Sequence, residues 1–294
     1  MQLHINVYVK TISVEKEIMM KDLEMALNYV STLTLAEPAS ARVLQLSALS
    51  TASAAPPPPV KEGEPAANVS ANSVVSFTSD LPQQTKEDVL NSTLLAQLAA
   101  NAAFDPEKQP KEWYQKYNDV LSNIGWNFPS WDFSKLATSD KGFQISKEVI
   151  KLIRSVDVTA SGMMSVVLDS LEADDNKDAA EMFDSYSNPK EQANFQIGPC
   201  DYNGGNAVMT SACMYFKATE HKHRFLWVTW KDKSTELWGS ARKAELVSSV
   251  YENVRQAVKD KLGDRAKNYV IDIQLGDFDT KIKKITNDSA EAIV

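Results

Sequence analysis

Histidine, cysteine and clustered carboxylates are the side chains that most readily carry chemistry, and this sequence has few of the first two. Its histidines are His4, His221 and His223. His221 and His223 flank Lys222, so in extended backbone both rings project to one side and could ligate a metal. At a polar hairpin bend, two solvated rings are the simpler reading. Asp174, Asp175 and Asp178 fall in a polar stretch between helical patterns. Carboxylates there cap a helix more readily than they act as an acid and base, because acid–base work needs burial to shift the pKa. Asp272, Asp277 and Asp279 lack the spacing of a calcium loop. The sequence holds no Gly-rich phosphate loop, no Gly-x-Ser-x-Gly elbow and no Cys-x-x-Cys pair. The expectation is a non-enzymatic protein with no catalytic, cofactor-binding or metal residue to assign.

The two cysteines, Cys200 and Cys213, sit in adjacent predicted strands. A hairpin centred on Gly204-Gly205 pairs Cys200 with Met209 and Cys213 with Gln196. The thiols are then not opposite each other, and free buried cysteines are expected.

Aromatic and thioether side chains carry more information than titratable ones. Phe225, Trp227, Trp230 and Trp238 crowd two predicted strands, 224–231 and 236–245. Alternation places Phe225 and Trp227 opposite Trp230, which predicts a central strand covered on both faces. The competing reading is an aromatic patch for lipid or carbohydrate. Trp227, Trp230 and Trp238, with Met209, Met214, Met163 and Met164, are therefore the candidate membrane or ligand contacts. The runs Gln192–Cys200 and Asn206–Phe216 are uncharged over nine and eleven residues. The hairpin they form has the length of two bilayer-spanning β-strands, although a buried soluble hairpin gives the same pattern.

The elements that position these residues fall into regions of different composition. Residues 1–48 read as an arm, with a strand at Leu3–Val9 and an amphipathic helix through Val14, Ile18, Leu23, Leu27 and Val30. Residues 49–72, with Pro56-Pro57-Pro58-Pro59, read as a solvated Pro/Ala/Ser linker. Residues 73–276 read as the main domain and 277–294 as a tail. Within the domain, helices are predicted from Thr85 to about Ala103, after Pro110, from Ser146 to Val156, from Thr159 to Leu171 and from Ser248 to Leu262. Strands are predicted at 194–200, 207–217, 224–231, 236–245 and 269–275. Helices first and strands later give an α+β fold, an antiparallel meander with helices layered on its faces.

A formal net charge of -8 argues against a binder of phosphate backbones, so nucleic acid is not an expected partner. The N-terminal residues lack the features of a secretory signal, which predicts synthesis in the cytoplasm with release or export by a non-signal route.

Three segments together resemble the cytolytic delta-endotoxins, the Cyt-type pore-forming toxins, and their fungal relative volvatoxin. They are 146–156 (SKEVIKLIRSV), 162–171 (GMMSVVLDSL) and 224–238 (RFLWVTWKDKSTELW). The resemblance covers about half the chain and is one of pattern: an amphipathic helix pair followed by long antiparallel strands. It implies a protein that binds lipid without an enzymatic step, moves its helix layer away from the sheet and self-associates on the membrane. It also makes the arm a candidate removable propeptide. The long Ala/Pro linker and the charges at 231–233 and 242–245 depart from that pattern. The other reading is a non-enzymatic interaction module, carbohydrate-binding or assembly-docking, tethered through residues 1–48.

Overall fold

The structure is a computed structural model that describes residues 20–37, 60–129, 133–139, 141–187, 192–232, 234–278 and 280–282. The expected strand at Leu3–Val9, the Pro-rich stretch 56–59 and the tail beyond 282 lie outside the described residues.

Along the chain the elements are α1 (20–32), β1 (Ala66–Ser70), β2 (Ser73–Phe77), α2 (Gln83–Ala103), α3 (Pro110–Asn123), β3 (Trp126–Asn127), β4 (Ser134–Lys135) and β5 (Phe143–Gln144). Next come α4 (Ile145–Arg154), α5 (Val158–Glu172), a 3-10 turn at Asp174–Asn176, α6 (Lys177–Ser187), β6 (Gln192–Asn203), β7 (Asn206–Lys217) and β8 (Thr229–Trp230). The chain continues with β9 (Glu236–Leu246), α7 (Ser248–Tyr251), α8 (Arg255–Leu262), α9 (Arg265–Asn268) and β10 (Val270–Asp272).

The α+β class holds, but the sheet is mixed and not an antiparallel meander throughout. Its order is β10-β1-β2-β6-β7-β9-β3, with β4 also on β9. β2 and β6 run parallel, Ser73 opposite Gln196 and Phe77 opposite Cys200. The whole helical stretch from α2 to α6 lies between these two strands. That long connection brings β6 back in the same direction as β2, which a tight turn cannot do.

The centre of the sheet is the β6–β7 hairpin. Asn203-Gly204-Gly205-Asn206 closes it, with φ of +59° at Gly204 and +90° at Gly205. Both signs suit the mirror-image turn that matches strand twist, and glycine adopts them without steric cost. The register pairs Cys200 with Met209 and Gln196 with Cys213, as the spacing predicts, and both cysteines are free and buried.

Side-chain alternation divides the core into two layers. Val69, Val74, Phe195, Ile197, Ala212, Met214 and Phe216 pack under α4, α5 and α6. Val75, Phe77, Cys200, Met209 and Cys213 pack under α2, α3 and α8. The arm helix α1 joins the second layer: Val30 and Leu33 are buried, the Tyr29 hydroxyl donates to Asp119 at 2.6 Å, and Lys261 donates to the Ser31 carbonyl at 2.7 Å. Arg265 pairs with Glu37 at its exit.

Four sequence expectations need correction. The ordered domain begins before residue 73, because β1 pairs with β2 and β10 inside the span assigned to the linker. Lys86, fully buried on α2, fastens the preceding loop by donating to the carbonyls of Lys61 at 3.0 Å and Glu64 at 2.6 Å. Residues 224–231 are not a central strand. Arg224 takes φ +54°, a turn follows, and only Thr229–Trp230 pairs, with Phe143–Gln144. Phe225 packs instead against Phe195 at 5.4 Å and Phe183 at 5.9 Å, so burial of the rings outweighs strand propensity. The helix after Ser248 is broken into α7 and α8. Phe278, placed in the tail, is buried in the core under α5 and α6.

Candidate functional site

The β6–β7 hairpin joins length, a charge-free stretch that Asp201 and Lys217 bound, and a difference between its faces. Ala193, Phe195 and Ile197 on β6, with Ala212, Met214 and Phe216 on β7, share the face under α4–α6, and each is 1% exposed or less. On the opposite face stand Asn194, Gln196 and Ser211, buried and polar. Such groups lose hydrogen bonds to water on burial and must find others within the protein. Gln196 accepts from the Ser73 hydroxyl at 2.7 Å and donates to the Asn194 side-chain oxygen at 3.3 Å, and the Asn72 side-chain amide donates to the Asn194 backbone carbonyl at 2.9 Å. The Tyr114 hydroxyl of α3 reaches the carbonyls of Met214 at 2.7 Å and Phe195 at 3.0 Å. Burial pushes this phenol well above its ordinary pKa, so it remains a donor.

The apolar face is closed by the α4–α5 pair. α4 buries Ile145, Val149 and Ile153, and α5 buries Met164, Val167, Leu168 and Leu171. Gly239 on β9 permits close seating: a Cβ there would lie 2.8 Å from the Met214 sulfur and 3.0 Å from Leu152 Cδ2. At the hairpin turn between the two helices, Asp157 caps α5 by accepting from Ala160 N at 2.9 Å and pairs with Lys243 at 2.8 Å. Those contacts hold its carboxyl below the usual range, against the desolvation that acts to raise it.

The cover is incomplete at one end. A groove of about 430 Å³ opens between the start of α5 and the sheet, lined by Val158, Met163, Pro199, Val208, Thr210 and Lys243 among others. Val156 and Val158, beside it, are 37% and 58% exposed.

A second contact fastens the apolar side. Asp184 on α6 accepts the backbone N–H of Arg224, while Arg224 donates to the Glu172 carbonyl at 2.7 Å. Desolvation pushes the Asp184 carboxyl up to about 6, against the Arg224 N–H and the charges of His223, His221 and Arg224. The His221 and His223 rings lie edge to face, 5.0 Å apart. Among the described residues no three metal-ligating side chains converge. The cysteines are held protonated by burial, Cys213 up to about 12. Asp272 is engaged by the Asn68 amide, and Asp174 and Asp175 lie in an exposed turn.

The candidate contact residues are scattered over these layers. Met214, Met164 and Trp230 are buried on the apolar side, Met163 lines the groove, and Met209 lies on the other side beneath α2 and α3. Trp227 and Trp238 are half-buried. None of the seven is exposed in this arrangement. Sequence reasoning missed the two exposed valines and the basic stripe of α4, Lys147, Lys151 and Arg154. The 4-then-3 spacing of that stripe was the legible signal.

No helix among the described residues is long and apolar enough to cross a membrane. No protein-family model and no curated protein matches the sequence. Among solved structures, the chain is similar to one described as the Evf virulence factor, at 12% identity and a TM-score of 0.30, over 77% of this chain and 89% of that one.

Proposed function

We propose that this chain is a membrane-perturbing, toxin-like protein whose α4–α5 pair is a displaceable cover over a membrane-competent β-hairpin. The observation that carries the reading is the asymmetry of β6–β7: from Ala193 to Ile197 and Ala212 to Phe216 one face is wholly apolar, while the other sets buried Asn194, Gln196 and Ser211 among Cys200, Met209 and Cys213. Strands in transmembrane barrels alternate in this way, apolar toward lipid and polar toward the lumen. Each strand has twelve residues, and the uncharged runs within them, Gln192–Cys200 and Asn206–Phe216, match the roughly 9–11 residues such a strand needs. The side that would meet lipid is the one under α4–α6, so those helices must leave while α2 and α3 can stay. The sequence resemblance to Cyt-type toxins supports the same movement, and self-association on the membrane would complete it by satisfying the free strand edges.

The arm fits a second, separate restraint. It packs on α2, α3 and α8 of its own chain through Val30, Leu33, Tyr29 and Ser31. This favours a removable clasp over a free tether to a partner. It clasps the layer on the polar side, so trimming it would loosen that layer without uncovering the apolar face.

The deciding experiment is dye release from liposomes by the intact protein, by protein trimmed in the Pro-rich linker and by a Leu152→Cys/Gly239→Cys variant. Release by the first two, lost in the oxidised variant and restored by reductant, is expected. No release from any lipid composition would sink the reading, and full release by the oxidised variant would sink the cover.

A further inference from the structure

We infer that the outer face of α4, with the valine tip that follows it, is the landing surface for an anionic lipid bilayer. The inference rests on the membrane reading above and names the surface and the lipid class.

Lys147, Lys151 and Arg154 lie at i, i+4 and i+7, so they form one stripe about 10 Å long on the helix. All three are exposed, while Ile145, Val149 and Ile153 turn inward. Two of the cations have a local reason to be there, since Lys151 and Arg154 occupy the last turn, where the helix dipole favours positive charge. Lys147 has the opposite preference, being in the first turn. Nearby acids offset only the middle cation of the stripe. Glu148 is 9% exposed and engaged by Lys151 at 2.8 Å, and Asp157 is taken by Lys243. Lys147 and Arg154 make no ion pair among the described residues.

The chain as a whole carries a net charge of -8, so this cationic stripe runs against the overall balance. The stripe leads directly to Val156 and Val158, which leave apolar surface in water beside it. Cations over headgroups with an apolar tip at the acyl boundary form the pattern of an interfacial helix. Anionic headgroups supply the charge complement, and the hydrocarbon boundary supplies the place for the valines. Landing through α4 would hold the cover at the interface while the sheet turns its apolar face toward lipid.

Flotation of the intact protein with phosphatidylcholine vesicles, with and without phosphatidylserine, tests the surface. Binding should require phosphatidylserine and fall with added salt. Lys147→Glu/Arg154→Glu changes four units of charge and should weaken binding at least a hundredfold, on the scale of several-fold per basic residue. Lys111→Glu, on the opposite helical layer, should change it less than about threefold by the same scale. Val156→Ser/Val158→Ser should keep salt-sensitive binding but weaken it about tenfold or more. Melting curves should be unchanged, since every altered side chain is exposed. Equal binding to neutral vesicles, or an equal loss in Lys111→Glu, would overturn the inference. Dye release measured on the same vesicles separates the two claims. Binding without release sinks the membrane-perturbing function and leaves the landing surface standing; release undiminished in Lys147→Glu/Arg154→Glu does the reverse.

Discussion

The two faces of the β6–β7 hairpin are covered by different physics. Beneath α4–α6 the contact is almost wholly apolar: Phe195, Ile197, Met214 and Phe216 meet Val149, Ile153, Met164 and Val167. Beneath α2 and α3 the sheet sets Asn194, Gln196 and Ser211 among the apolar Cys200, Met209 and Cys213, and directional bonds through Tyr114 add to the apolar contact between helix and sheet. The difference bears on which layer can leave. Apolar contact is non-directional and can be exchanged for lipid at little cost. A hydrogen-bonded interface cannot, because each parted donor and acceptor would need a new partner.

The sharpest way to break this comparison is to cut the apolar face. Phe195→Ala removes a fully buried ring that contacts Phe183 and Phe225. It should cost about 3–5 kcal/mol in chemical denaturation. A cost below about 1 kcal/mol would mean that the apolar layer contributes little to stability.

The next effect concerns the one strongly perturbed carboxyl on that side. Asp184 titrates near 6 in the fold against an ordinary 3.8, so its protonated form is the one the native state favours. The stability it lends is full below the ordinary value and is lost as pH rises through about 6. The loss is up to roughly 3 kcal/mol, and Asp184→Asn, which keeps an acceptor for Arg224 N without the charge, should remove that dependence. Unfolding measured across this range should give converging curves at acid pH and a more stable variant at neutral pH. Parallel curves would show that Asp184 is not buried at the cost its surroundings imply.

The smallest expected effect is on the polar face. Tyr114→Phe deletes the hydroxyl and leaves the Met214 and Phe195 carbonyls to their strand partners, at a cost of about 1–2 kcal/mol. Melting of the variant checks this. On liposomes it should release dye no more readily than the unaltered protein, since the layer it loosens is the one that stays. A gain in release comparable to that from loosening α4 would reverse the assignment of cover and base.

Much of this architecture was legible from local signals. The Asn203-Gly204-Gly205-Asn206 turn fixed the hairpin register, and with it the separation of Cys200 from Cys213, because a two-residue loop leaves one pairing. The 3.6-residue period placed α4 and α5 within one or two residues, and Asp157, which caps α5, falls in the gap it left between them. Two kinds of feature were hidden. Strand β1 follows a Pro-rich stretch and carries Asn68 and Ser70, so its sequence resembles linker. Its place in the sheet comes from pairing with β2 and with β10, some two hundred residues later. Residues 224–231 show the converse. Their alternating aromatics satisfy strand propensity, yet Phe225, Leu226 and Trp230 all bury in one cluster, which an alternating strand cannot achieve.

The sequence by itself determined most of the helices, the hairpin and its register, and the uncharged runs Gln192–Cys200 and Asn206–Phe216 within it. Those properties depend on neighbours a few residues apart. Tertiary structure alone decided that β2 meets β6 in parallel, that the arm lies on α2 and α3, and that the hairpin's two faces differ. Each of these depends on contacts between residues far apart in the chain, where the gain from burying a surface is set by the partner it meets.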